Sequence, residues 1–105
     1  MGETRPLRLS YTPKALTELE EVLSFIEERS PSGAHSVQRR LKTIIELLPH
    51  HPYLGQKSSD PRLRRLVVAP YPYLVFYEVT EAEVIVIGVR HAARDPAGRS
   101  EDEPT

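Results

Sequence analysis

The chain has no cysteine. That excludes a disulfide scaffold, a thiolate metal site and a cysteine nucleophile, and it fits a reducing compartment. No apolar run approaches the ~18 residues that a membrane span needs, and no charged-then-apolar leader precedes a cleavage site. A soluble, cytoplasmic protein with no membrane partner is therefore expected. An excess of one charge is also lacking: 14 Lys and Arg stand against 15 Asp and Glu, for a net charge of −1. Bulk electrostatic attachment to nucleic acid is thereby disfavoured. Gly33, Gly55 and Gly88 make no phosphate-cradling loop. No serine sits in a nucleophile-elbow pattern. His50 and His51 are adjacent, so they point in different directions, and no acid or cysteine stands at ligand spacing. His35 is expected to face solvent. Neither a metal nor a cofactor is expected.

At 105 residues the chain is long enough for one domain. Roughly two-thirds of its unfolded surface is removed from water at this size, which leaves little area for a deep cavity. The ordered part is expected to run from about residue 7 to 97. The remainder, 98–105, carries Glu101, Asp102 and Glu103 and reads as a flexible acidic tail.

What is present reads as an α+β fold. Leu7, Leu9 and Tyr11 alternate with Arg8 and Ser10, the period of a half-buried strand. Thr12 followed by Pro13 marks a helix start. Leu16, Leu19, Leu23 and Ile26 recur at three and four and predict one buried stripe, with the glutamates exposed. Ser30-Pro31-Ser32-Gly33 predicts a break. A second helix is expected from about Ala34 to Leu48, antiparallel to the first. Its apolar face is Val37, Leu41, Ile44 and Leu48, widened by Ile45 and Leu47. His50 to Arg62 reads as a long loop, a kind that is often functional.

Leu63–Ala69, Tyr73–Val79 and Val84–Val89 then predict a three-stranded antiparallel meander. The expected order is β-α-α-β-β-β, with both helices on one face. The last two strands are almost wholly apolar, which places them mid-sheet. The other face is expected to be partly open and to carry Tyr, Val and Arg.

Positive charge is gathered on particular elements. Arg62, Arg64 and Arg65 precede or begin the second strand, and Arg90 and Arg94 follow the last. If these groups converge on the open face, their guanidinium forks suit an anionic ligand or an acidic partner. Arg62, Arg64, Arg65, Tyr73, Tyr77, Arg90, His91 and Arg94 are thus the candidate binding residues. Arg65 and Arg90 as phosphate holders with His91 as acid or base form a candidate ribonuclease set. A structural role for His91 at a strand end is the alternative.

The opening Leu9-Ser10-Tyr11-Thr12-Pro13-Lys14-Ala15 continues this pattern. With Tyr73-Leu74-Val75-Phe76-Tyr77-Glu78-Val79 and Val89-Arg90-His91-Ala92-Ala93-Arg94-Asp95-Pro96, it resembles the RelE/ParE superfamily of bacterial toxins. The likeness extends from residue 7 to 96. It implies a toxin of a type II toxin–antitoxin pair, bound by a cognate antitoxin protein as a hetero-oligomer. RelE-like members enter the ribosome and cleave messenger RNA. ParE-like members are associated with poisoning DNA gyrase. Arg64 or Arg65 matches the RelE sheet arginine, and Arg90 or His91 its late-strand position. The lysine-rich segment of RelE is reduced to Lys57. The tyrosine-rich hairpin and the His-Ala-Ala-Arg-Asp ending are closer to the ParE branch, so gyrase is the expected target and the ribosome with messenger RNA the alternative.

Overall fold

A computed structural model describes residues 5–94. The expected acidic tail, 98–105, lies outside the described residues. The elements are β1 (Arg8–Tyr11), α1 (Pro13–Arg29), α2 (Pro31–Leu47), β2 (Gln56–Lys57), β3 (Arg64–Val67), β4 (Tyr73–Val79), β5 (Glu83–His91) and a short 3₁₀ turn, Ala92–Arg94. The α+β order holds, with one extra strand: β2, two residues of the expected loop, pairs antiparallel with β3. The strand expected over Leu63–Ala69 shortens to Arg64–Val67.

Thr12 caps α1 as its position suggests. Its hydroxyl accepts from the Ala15 N–H at 3.0 Å, and Pro13 opens the first turn. The break after α1 is tighter than the sequence suggested. Ser30 alone forms it, and Pro31 already belongs to α2 rather than to a turn. Ser30 serves both helices. Its N–H donates to the Ile26 carbonyl at 2.7 Å, and its hydroxyl accepts from the Gly33 N–H at 3.0 Å. A proline tolerates the first helical position because that N–H has no partner in any helix.

The sheet order is β1-β5-β4-β3-β2. β5 and β4 lie inside it, as their apolar composition requires. β1 reaches the far side of β5 and runs parallel to it, Tyr11 opposite Val86. The register divides the sheet cleanly. Tyr73, Val75, Tyr77, Val84, Val86 and Val89 face the helices and form the core with Ala15, Val37, Leu41, Ile44, Ile45 and Leu48. Two leucines expected in the core are exposed: Leu16 on α1 and Leu47 on α2. On α1 the buried position is Ala15, with Val22 packed beside Leu19, Leu23 and Ile26. The helix meets the sheet slightly off the stripe that periodicity picks out, and a small residue allows the closer approach.

A second correction concerns α1's glutamates. Glu18 is not simply solvated: its Oε1 accepts the Val89 N–H at 2.9 Å. β1 ends at Tyr11, so the outer edge of β5 beyond Val86 has no strand beside it. Thr12 continues the closure, its N–H donating to the Val86 carbonyl at 3.0 Å. Glu18 finishes it. Gly88 leaves room for this contact, because a side-chain carbon at 88 would stand 3.0 Å from the Glu18 carboxylate and would have to displace it.

Replacing Ser30 with alanine removes the hydroxyl that caps α2. Urea unfolding of Ser30→Ala should show a loss of about 1 kcal/mol, with an unchanged slope against denaturant.

Candidate functional site

The side of the sheet away from the helices carries the cationic site. Pairing sets Arg65 opposite Phe76 and Phe76 opposite Gly88; one row over, Val67 is opposite Leu74 and Leu74 opposite Arg90. Leu74 and Phe76 are buried but stand apart from the helix-side core cluster. The Arg90 guanidinium lies over the Phe76 ring at 5.1 Å. Its Nε is 3.9 Å from Glu18 Oε2. Arg65 and Arg90 therefore flank an apolar floor of Leu74 and Phe76, with Val67 exposed at its margin. The register thus sets two of the expected arginines on one face, and Arg90 also reaches round the edge of β5 to Glu18.

The other candidates are placed elsewhere. Arg64 is one residue from Arg65 and so points to the helix side, opposite Tyr77. Arg62 precedes the strand and is exposed. Its guanidinium grips Asp60 through two contacts, Nε to Oδ1 at 3.3 Å and Nη2 to Oδ2 at 3.1 Å. That hydrogen-bonded fork holds the Asp60 carboxyl below its ordinary range. Tyr73 and Tyr77 face the helices, not the side expected to be open. The strand alternates with a period of two, and Phe76 with Leu74 takes the opposite face. The side chain of Arg94 lies outside the described residues.

His91 also stands on the helix side, opposite Tyr73. Its ring meets the Tyr73 ring edge-on, centroids 5.3 Å apart at 83°. Its Nδ1 accepts the Ala93 N–H at 3.0 Å, which fixes the start of the 3₁₀ turn. In a neutral ring the proton then sits on Nε2. A cleft of 430 Å³ opens between α1 and the end of β5, lined by Glu18, Val22, Phe25, Tyr73, Arg90 and His91 among others. His91 and Arg90 both reach this cleft, while Arg65 belongs to the far face.

Sequence reasoning missed what Tyr77 does. Its hydroxyl donates to the Pro52 carbonyl at 2.8 Å and accepts from the Gly55 N–H at 2.8 Å. Arg64 Nη1 donates to the Gly55 carbonyl at 2.7 Å, and its guanidinium lies 4.7 Å from the Tyr53 ring centroid. Gly55 admits no side chain, since a carbon there would lie 2.9 Å from both the Arg65 carbonyl and the Tyr77 hydroxyl. Tyr77 and Arg64 thus fix the loop after α2 from beneath. Burial pushes the Tyr77 hydroxyl above the ordinary tyrosine range, with Gly55 and Arg64 opposing in part. Among the described residues, no group of three or more His, Cys, Asp or Glu could hold a metal, and no helix is long and apolar enough to cross a membrane.

Residues 9–96 match the family described as the ParE toxin of the type II toxin–antitoxin system parDE. The chain belongs to the ParE toxin family. It is 37% identical to Toxin RelE2 of Caulobacter vibrioides, over 80% of this chain and 93% of that one. It is 32% identical to Toxin ParE1 of the same organism, over 83% and 88%. Its fold is similar to a chain of the chromosomal ParDE system from P. aeruginosa, with a TM-score of 0.74 and 18% identity over 84% of this chain and 98% of that one. The protein is thus a type II toxin–antitoxin toxin of the RelE/ParE superfamily.

Tyr77→Phe keeps the ring and removes the hydroxyl. It should destabilise the fold by about 1–3 kcal/mol, because the buried Gly55 N–H and Pro52 carbonyl lose their partner, and amide exchange at Gly55 should speed up. The pH dependence has a definite sign. The folded pKa lies above the unfolded one, so the hydroxyl's contribution is complete below the ordinary tyrosine value and is lost as pH rises through the folded value. Tyr11, raised by burial and then by the Glu46 charge, acts in the same direction. Melting temperature followed from neutral pH upward should therefore fall more steeply in the parent than in Tyr77→Phe.

Proposed function

We propose that this ParE-family toxin inhibits growth by binding an essential cellular target, DNA gyrase before all others, and does not cut RNA. The observation that carries this reading is the separation of His91 from Arg65 across the sheet. Proton transfer in a cleavage step needs an acid or base within hydrogen-bond reach of the proton that moves, and therefore on the same surface as the groups that hold the phosphate. Here Arg65 lies on the far face, while His91 lies on the helix side, where it shares a cleft with Arg90 and has one ring nitrogen already engaged by the Ala93 N–H. The two arginines and the histidine therefore do not share one surface. The net charge of −1 supports the same reading, because docking on a ribosome is aided by a strongly basic surface. The family match to ParE and the name of the relative ParE1 support gyrase.

The partner in the resting state is a cognate antitoxin, forming a hetero-oligomer in the cytoplasm. The neighbouring structure is described as a ParDE system, which supports a protein antitoxin. The far face fits an acidic, apolar segment. Leu74 and Phe76 are buried in that face and Val67 is exposed beside them, while Arg65 and Arg90 carry forks that suit carboxylates.

A second reading, a ribosome-dependent messenger RNA endonuclease, is favoured by the 37% identity to the relative named RelE2. In that reading Arg65 and Arg90 hold the phosphate and His91 moves the proton. One experiment separates the two. The toxin is induced without antitoxin, messages are mapped by primer extension, and gyrase supercoiling is assayed with purified protein. We expect intact messages, inhibited supercoiling, and growth inhibition unchanged in His91→Ala. Cleaved messages that become intact in His91→Ala would turn the assignment to the nuclease.

A further inference from the structure

The loop between α2 and β2 is held rigidly and yet presents apolar side chains outward. Tyr53 is 67% exposed and Leu54 49% exposed. Leu47, which ends α2 just before the loop, is exposed as well. A loop tip with this composition would ordinarily be free to fold its aromatic ring away. Here it is not. The Tyr77 hydroxyl bonds the backbone at Pro52 and Gly55, Arg64 bonds the Gly55 carbonyl, and the His51 and Leu54 amides donate to the Leu47 and His51 carbonyls. Rigid aromatic side chains displayed on a fixed backbone are the usual anchors of protein interfaces, because little conformational freedom is lost on binding.

The charges beside the tip point to the chemistry of what it meets. Lys57 and Arg64 stand directly opposite each other on β2 and β3. Like charges in that position repel and weaken the pair. Among the described residues, no carboxylate lies within ion-pair distance of either one. A recess of 210 Å³ beside the Tyr53 ring is lined by Pro61, Arg62, Arg64, Glu78 and Val79. Glu78 is the acidic residue of that lining and meets both Arg62 and Arg64 there, while Asp60 is held by Arg62. Arg64 is held by the Gly55 carbonyl and the Tyr53 ring, which leaves Lys57 as the exposed cation beside that ring. A cation next to an exposed aromatic matches an acidic protein surface that also offers an apolar pocket.

We propose that Tyr53 and Leu54, with Lys57 beside them, form the surface by which this toxin engages an acidic protein partner, namely the target whose inhibition stops growth. This surface is separate from the far face and its arginines, which leaves the antitoxin's site and the target's site distinct. The assignment rests on the toxin reading given above.

The test uses the full chain, expressed from one inducible promoter with the antitoxin on another. Tyr53→Ala/Leu54→Ser and Lys57→Glu are compared with the parent and with Leu16→Ala, an exposed apolar position on α1 outside both surfaces. Growth inhibition is titrated against inducer, antitoxin binding is measured by co-purification, and folding is checked by melting temperature. The double variant should need about 10-fold more toxin to stop growth, and Lys57→Glu about 3-fold more. Both should still bind antitoxin and melt near the parent, and Leu16→Ala should remain fully toxic. A folded double variant with full toxicity overturns the inference while leaving the toxin reading intact. Full toxicity of Lys57→Glu removes the acidic character assigned to the partner. Loss of antitoxin binding together with toxicity assigns the tip to the antitoxin and overturns the separation of the two sites. A parent chain that does not inhibit growth defeats the toxin reading, and this inference with it.

Discussion

The outer edge of β5 must be closed twice, by different chemistry, and most of the architecture follows from that. Its first half is closed by β1, which runs parallel from Arg8 to Tyr11. Its second half has no strand and is closed by the backbone of Thr12 and the carboxylate of Glu18. The change from strand to helix at Thr12 therefore sits where the pairing along β5 changes from backbone to side chain. An unpaired edge invites strand addition from other chains. A carboxylate that accepts the exposed N–H blunts it. The irregularity between Phe76 and Tyr77 falls at the same level of the sheet. It lets Val86 and Val89, three residues apart, both face the helices. Bulges of this kind redirect side chains near a change of partner.

That redirection decides which residues share a surface. Beyond the bulge, Arg90 turns to the far face beside Phe76, and His91 turns inward against Tyr73. Adjacent residues in a strand cannot act on the same face. Arg64 and Arg65 are divided in the same way. The cationic far face thus keeps one arginine from each cluster, while the other arginine of the β3 pair is spent on holding a loop. The toxin has two surfaces with different characters: a sheet face where guanidinium groups border an apolar floor, and a loop tip where an aromatic ring stands beside a cation pair.

Tyr77 ties the loop tip to the core. It is fully buried in the core, and its hydroxyl satisfies both a donor and an acceptor of the loop backbone. A buried hydroxyl with two partners is stabilising, and each of those backbone groups would otherwise be left without a partner away from water. The loop backbone is consequently tied to the sheet it rests on. Length and a high content of Pro and Gly mark this segment as a loop, but they say nothing about its rigidity. The rigidity comes from a residue more than 20 positions away in the chain.

Local chemistry alone determined much of this protein. Thr12-Pro13 is a helix start wherever it occurs in such a pattern, and the apolar runs Tyr73–Val79 and Val84–Val89 have no stable place except inside a sheet. The family likeness was legible for the same reason, since it is carried by consecutive residues in those runs. What the sequence could not determine was anything that depends on a contact between distant positions. Leu16 and Leu47 fit the helical stripe, yet the docking angle left them exposed and buried Ala15. Glu18 is one glutamate among several on α1, and only its approach to Val89 made it the edge cap. The faces of Arg64, Arg65, Arg90 and His91 hinged on register and on one bulge, because a shift of a single residue exchanges every side chain between faces. Periodicity fixes which residues alternate; only the packed sheet decides which of the two alternatives faces the helices.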